Sequence, residues 1–357
     1  MTVCVEVASS LEEAEALVPA WEELAAACGA RGTASPAYCL AWWRHRGSGR
    51  LLILAAYERG ALVGLAPLHE RRLGMVQVVR LLGHGLGTVG EVLLAPGRED
   101  VAETVWASLA GSRGRLLQLV EYRQGAGGLR ALRRSGDWDA RIAVRESCPV
   151  AILDRPVGEL LASPGRRRLR RTLGKADRAL AEEGLTHEVE VIASWERLKA
   201  ALDDVQAVFD AAEHEKVRLH FFDAEWRGFT LDLLRQEAAA GRLAVFVGWI
   251  GGCAASVALT LRSGATLGYW APRFHPSFGR FTPGHLLLRG IAEYVVAEPG
   301  LRELDLLLGE HDYKLQWSTS SYDTLGVTAA RSGMLPLGIG LLAGLERVHR
   351  LRGRLRR

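Results

Sequence analysis

"LLILAAYERGALVGLAPLHERR" (51–72) and "RLAVFVGWIGGCAASVALTLRSG" (242–264) spell the same structure twice. Each is an apolar run, a tight turn and a second apolar run, which is a β-hairpin. The hinge is Arg59-Gly60 in the first and Gly251-Gly252 in the second. Superposed, Gly60 falls on Gly251, Leu52 on Leu243 and Leu68 on Leu259. Ahead of the first hairpin lies an alternating strand, Val3-Val5-Val7. A helix follows it, with Ser9 or Ser10 as cap and Glu12 and Glu13 against its dipole. Behind it come strand signals at 75–82 and 89–94, a helix at about 98–111 and a strand at 116–122. A short helix near 126–135 and a strand near 139–146 close the unit. The second hairpin has the same surroundings. A strand at 187–192 and helices at about 194–215 and 223–240 precede it. A strand at 265–274, the turn "HPSFGRFTPG", a helix from His285 and a strand at 302–308 follow, and "SYDTLGVTAA" ends the unit. This order predicts an α/β (α+β) protein of two tandem domains, each a mixed, mostly antiparallel sheet flanked by helices. The expected division is 1–150, a linker with an Arg-rich helix at 151–184, a second domain at 185–332 and a basic amphipathic tail at 333–357.

Composition narrows the class. Of 357 residues, 48% are hydrophobic and 24% charged, the balance of a soluble globular protein. The five cysteines (Cys4, Cys28, Cys39, Cys148, Cys253) are scattered with no CxxC, which argues against a disulfide framework or zinc ribbon and for a reducing cytoplasm. No apolar run approaches the roughly 20 residues that span a bilayer, and the start "MTVCVEVASSLEEAEAL" is not that of a signal peptide. A net charge of +4 is too small to argue for DNA. His214 and His220 with Glu213 and Glu215 match no common metal spacing, so no metal is expected.

Two segments carry unusual chemistry. In "RRRLRRTLGKADRALAEEG" (166–184), Leu169, Leu173, Ala176 and Leu180 recur at helical spacing, leaving a basic outer face. Arg167, Arg168, Arg170 and Arg171 are either solvated or a phosphate site. In "ELDLLLGEHDYKLQW" (303–317), an apolar strand runs into Gly309 and then into Glu310, His311, Asp312, Tyr313, Lys314 and Trp317.

These two segments, with "LAVFVGWIGGCAASVAL" (243–259) and "GYWAPRFHPSFGRFTPGHLLL" (268–288) between them, give the second half a resemblance to the GNAT-like acyltransferases of the cellulose-biosynthesis-protein type, relatives of the Fem aminoacyltransferases. The resemblance implies tandem GNAT-type folds and transfer of an acyl group to an amine or hydroxyl, with acyl-CoA (acetyl-CoA) as co-substrate and aminoacyl-tRNA as the alternative donor. The acceptor would be a small molecule, a saccharide or an envelope precursor. A scaffold that keeps the fold without the activity is the competing reading. Lys314 is then the candidate oxyanion or phosphate group, Tyr313 the acid for the leaving group, and Glu310 or Asp305 the base. Gly279, Arg280, Thr282, Gly284 and His285 are the candidate donor loop, although Arg280 is misplaced for the family's pyrophosphate grip and Pro283 lacks an amide donor. Tyr269, Trp270, Arg167, Arg171, His214 and Trp317 complete the expected substrate contacts. Asp305 as a brace of the sheet, a Glu310–Lys314 helical ion pair and Trp317 as packing are the bland alternatives. The tail, with Leu341, Leu345, Val348, Leu351 and Leu355 on one stripe among arginines, suggests peripheral contact with the inner face of a membrane.

Overall fold

A computed structural model describes residues 3–74, 76–111, 114–134, 136–213, 219–331 and 333. The tail stripe beyond Gly333 and His214 lie outside the described residues. Thirteen strands form one sheet. They are β1 (Cys4–Ala8), β2 (Arg50–Glu58), β3 (Ala61–Leu73), β4 (Val76–Leu81), β5 (Leu93–Leu94), β6 (Arg115–Arg123), β7 (Trp138–Ile152), β8 (His187–Ile192), β9 (Val245–Ile250), β10 (Cys253–Ser263), β11 (Thr266–Phe274), β12 (Glu303–Asp305) and β13 (Ser320–Arg331). Both hairpins form. Their turns use positive φ at Arg59 (51°) and Gly60 (81°), and at Gly251 (57°) and Gly252 (79°). Glu58 pairs with Ala61, and Ile250 with Cys253. Gly60 is therefore the counterpart of Gly252, one residue from the sequence superposition, because apolar runs fix a strand's existence better than its register.

The element order repeats, with β4 parallel to β6 in the first half and β11 parallel to β12 in the second. Three expectations were too long. The helical region from 194 breaks at Ala201, giving helices Trp195–Ala200 and Leu202–Glu213. The strand at 302–308 is ordered only over Glu303–Asp305. The strand at 89–94 shrinks to Leu93–Leu94.

At the centre the sheet order is β6-β13-β7-β12. The last strand of the second half lies between two strands of the first, bonded to both over most of its length. The C-terminal end of β7 in turn pairs with β12, as Val150 does with Asp305.

Alternation along the strands builds three layers of core. Leu51 and Ile53 of β2, with Val245 and Val247 of β9, face a layer shared by both halves, where Tyr38 meets Phe229 at 5.7 Å and Trp270 at 5.8 Å. Leu52 and Leu54 face a separate layer under helix Val101–Ala110. Ala244 and Phe246 face a third under helices Arg167–Glu182 and Pro283–Ala297. The period of two is what lets one strand serve both faces. In the Arg-rich helix the buried residues are Leu169, Leu173, Ala176 and Leu180, the stripe expected from the sequence.

The shared layer also encloses a stacked histidine pair. The His69 and His84 rings lie 5.2 Å apart at 17°, beside Trp42 at 5.2 and 5.3 Å. Burial first, then the neighbouring ring and Arg80, pushes His69 down to about 3; burial and Arg80 push His84 down to about 4. The unfolded chain takes up these protons near 6.5 and the folded one only below 4, so stability falls as pH drops through that window. At pH 4.5 His69 alone should cost on the order of 3 kcal/mol, at about 1.4 kcal/mol for each pH unit below 6.5. Urea midpoints at pH 7.5 and 4.5 should converge in His69→Phe relative to the parent. Parallel losses would remove the pair as the cause.

Candidate active site

The second half opens where its parallel pair separates. β11 pairs with β12 only from Thr266↔Glu303 to Gly268↔Asp305. Beyond that point the chain follows β7 instead, with Leu306 N–H donating to Pro149 O at 2.9 Å and Gly309 N–H to Ser147 O at 3.1 Å. β11 continues to Phe274 against β10. The divergence leaves a cleft of about 260 Å³. Tyr269, Trp270 and Arg273 of β11 stand on one side, and Leu308, His311, Tyr313 and Lys314 on the other. Leu86 and Gly87 reach it from the first half. The ladder between β10 and β11 slips at Trp270, with Leu259 opposite Ala271 and Thr260 opposite Tyr269. Such a bulge puts one residue outside the ladder and re-aims it. The Trp270 indole N–H is buried without a hydrogen-bond partner among the described residues.

Helix Asp312–Trp317 forms the far wall, and the Arg-rich helix holds it. Arg166 donates to Gln316 O at 2.6 Å and Ser318 O at 2.5 Å, and Arg168 pairs with Asp312 at 3.1 Å. Lys314 is buried and donates to Leu307 O at 3.3 Å and Leu308 O at 2.5 Å. The helix begins after Glu310, so Glu310 and Lys314 are not a pair on a helix face. Glu310 is exposed and outside the cleft lining, which removes it as a direct base there. The Tyr313 ring stacks on His311 at 6.1 Å and stands edge-on to His285 at 6.5 Å.

Asp305 is a brace. It is fully enclosed, and its oxygens accept from Leu307 N–H at 2.9 Å and Tyr322 O–H at 2.7 Å. Arg31 from the first half pairs with it at 3.1 Å and with Glu303 at 2.5 Å. Burial pushes the Asp305 carboxyl up, against Arg31 and the Tyr322 hydroxyl. With both oxygens engaged it cannot serve as a base. Trp317 is likewise core, donating to His285 Nδ1 at 3.3 Å, not a substrate contact.

At the proposed donor loop, Arg280 is tied to Glu183. His285 N–H bonds back to Thr282 O at 2.9 Å, and burial, then Arg168, holds the His285 ring below its usual range. Thr282 takes a left-handed φ of 47° with its buried hydroxyl unpartnered, and Gly279 and Gly284 face open space. Of the basic run, Arg166, Arg168 and Arg170 bind carbonyls or Asp312. Arg167 and Arg171 stay exposed with no such partner among the described residues.

Sequence reasoning singles out His311 without giving it a role, and misses Arg31, Arg273 and Leu86-Gly87 as site or support residues. Their only signal is spatial, since each reaches the cleft from an element distant in sequence or lies between assigned neighbours. Glu121 was missed too. It sits at φ 58° in β6, and burial, then Glu146, pushes its carboxyl up to about 7.

The first half lacks the equivalent opening. Its β3–β4 ladder has no bulge. The chain after β4 returns to fill the divergence, with Gly90 N–H donating to Glu121 O at 3.0 Å and Arg123 N–H to Gly90 O at 2.9 Å. The helix matching Pro283–Ala297 starts with Glu99, Asp100 and Glu103, which repel an anion.

Residues 167–315 match the family model described as Acetyltransferase (GNAT) domain. The whole chain has a GNAT/Fem-like fold. FemX superposes with a TM-score of 0.66 at 12% identity, over 94% of this chain and 98% of FemX. The C-terminal domain of a lysylphosphatidylglycerol synthetase from Agrobacterium fabrum gives 0.59 at 14%, over 93% and 95%. L-PGS from Bacillus licheniformis gives 0.50 at 14%, over 79% and 86%. No curated protein matches the chain by sequence. No helix among the described residues is long and apolar enough to cross a membrane.

Proposed function

We propose that the chain is an acyltransferase whose second-half cleft moves an acyl group from acyl-CoA to an amine or hydroxyl of a small molecule or saccharide. The Trp270 bulge carries this reading: it interrupts the β10–β11 ladder on the cleft wall opposite Lys314, leaving backbone there outside the ladder. The acceptor lone pair attacks the thioester carbonyl carbon. The negative charge gathers on the carbonyl oxygen, next to the bulge and the Lys314 ammonium. As the C–S bond breaks, Tyr313 gives its proton to the departing thiolate, and the acceptor's proton leaves to solvent. Thr282 and Arg280 would take the donor's phosphates, with Arg280 released from Glu183.

A second donor, aminoacyl-tRNA, is favoured by one feature. The 282–285 turn offers few amides, while Arg167 and Arg171 stand on an exposed helix face with no ion-pair partner among the described residues. Thermal shift with CoA, acetyl-CoA, longer acyl-CoAs and a charged tRNA separates the readings. Under the leading one an acyl-CoA raises the melting temperature and Arg167→Gln/Arg171→Gln weakens the effect less than tenfold. Under the second, only tRNA binds, and the double variant flattens its salt dependence. Absence of any shift with all four would favour a scaffold.

A further inference from the structure

A second cavity lies in the first half, outside the cleft just described. It measures about 390 Å³ and is lined by the 124–128 loop, Arg130, Arg133, Glu99, Ile142 and Leu325. We propose that it is a second ligand site, for a phosphate ester that carries free hydroxyls, a nucleotide or a sugar phosphate.

The loop "QGAGG" (124–128) is anchored from within the core. The Tyr122 hydroxyl donates to Gly127 O at 2.5 Å and the Trp106 indole to Gly128 O at 2.7 Å, both side chains being fully buried. A planar trans peptide sets its N–H opposite its C=O. With these two carbonyls turned inward, the N–H groups of Gly128 and Leu129 turn outward. Gly128 has φ 102°, closed to other residues, and a Cβ on Gly127 would lie 2.4 Å from Leu94 Cδ1. The loop is therefore rigid and cannot be replaced by side chains.

Two guanidinium groups face this cavity against one carboxylate. Arg134 next to them pairs with Glu103 at 3.0 Å, whereas Arg130 and Arg133 have no ion-pair partner among the described residues. Guanidinium forks bind phosphate oxygens bidentately. Glu99 would oppose a bare phosphate but accepts hydrogen bonds from hydroxyls, which is why the ligand needs both groups. Ile142 and Leu325 give an apolar floor. It runs outward to Val144, opposite Leu325 in the ladder and 63% exposed, and an apolar strip left in water beside a polar cavity marks a binding surface. In the second half the corresponding space between helices Pro283–Ala297 and Asp312–Trp317 is packed by His285, Tyr313 and Trp317. The two halves thus differ in which cavity they keep.

Isothermal titration of the full chain with ADP, glucose 1-phosphate and inorganic pyrophosphate tests the site, with Arg130→Gln/Arg133→Gln, Glu99→Gln and Lys314→Ala in parallel. ADP or glucose 1-phosphate should bind, and which one does assigns the nucleotide or sugar source. The double arginine variant should weaken that binding at least tenfold. Glu99→Gln should weaken it severalfold and leave pyrophosphate unaffected. Lys314→Ala should change nothing here, so failure of the acyltransferase reading leaves this result standing. The site is overturned if none of the probes binds at millimolar concentration, if only pyrophosphate binds, if the double variant binds as the parent does, or if Lys314→Ala abolishes binding.

Discussion

Replacing Lys314 with alanine lowers turnover by about 10²–10³-fold with little change in the donor Michaelis constant, the cost of losing one preorganised group that meets charge only in the transition state. The ammonium is already fixed, because Leu307 O and Leu308 O hold it on the cleft wall, so no reorganisation is needed when the oxyanion forms. The same bonds predict a smaller structural effect. Two carbonyls lose their donor, and stability falls by about 1–3 kcal/mol. Steady-state kinetics at a temperature well below the melting point separate the two. Lys314→Arg keeps a donor for the carbonyls and should restore most of the stability and only part of the rate. Full turnover in Lys314→Ala would reduce the residue to a clip for the 307–308 turn.

Arg31→Met should destabilise the chain by about 3–5 kcal/mol, the usual result of removing one member of a buried ion pair and stranding its partner. Two carboxylates would be stranded. Asp305 is fully enclosed and Glu303 largely so, and Arg31 is the cation between them. Its backbone N–H is also held, by Glu91 at 2.7 Å, so the side chain cannot easily be replaced by a neighbour. Asp305→Asn in the same background removes one stranded charge and keeps an acceptor for the Leu307 amide, and should recover part of the loss. Urea denaturation of the two variants reads both effects. A loss below about 1 kcal/mol for Arg31→Met, the range of exposed pairs, would mean that water reaches these carboxylates.

What was legible in the sequence follows from which physics is local. The hairpins, the amphipathic helix at 167–182 and strand 187–192 are set by periodicity over a few turns, and they appear where expected. Element order then carried the tandem plan. The convergence of Tyr269, Trp270, Tyr313 and Lys314 on one cleft followed from placing two segments at the same end of a sheet. The rest depended on distance in sequence. Asp305 looked like a base because an acid among leucines is conspicuous, but its partners Arg31 and Tyr322 are settled only by folding. Glu310 looked like a helix neighbour of Lys314 until the helix was seen to start at Asp312. No periodicity announces the Trp270 bulge, since one extra residue changes a ladder without changing composition. The order of β13 between β6 and β7 was equally hidden, because pairing across 200 residues leaves no mark on either segment.

That threading governs how the protein comes off the ribosome. When the first 150 residues have emerged, β6 has no neighbour on its inner side, and Leu117 and Leu119 border an unpaired edge. The missing strand is made only after nearly all of the second half. An open, apolar edge is a template for pairing with other chains, so the nascent first half needs either a chaperone or a transient internal partner until Ser320–Arg331 arrives. A premature stop just before Ser320 would fall within the second half in sequence, yet it would strip a strand from the first.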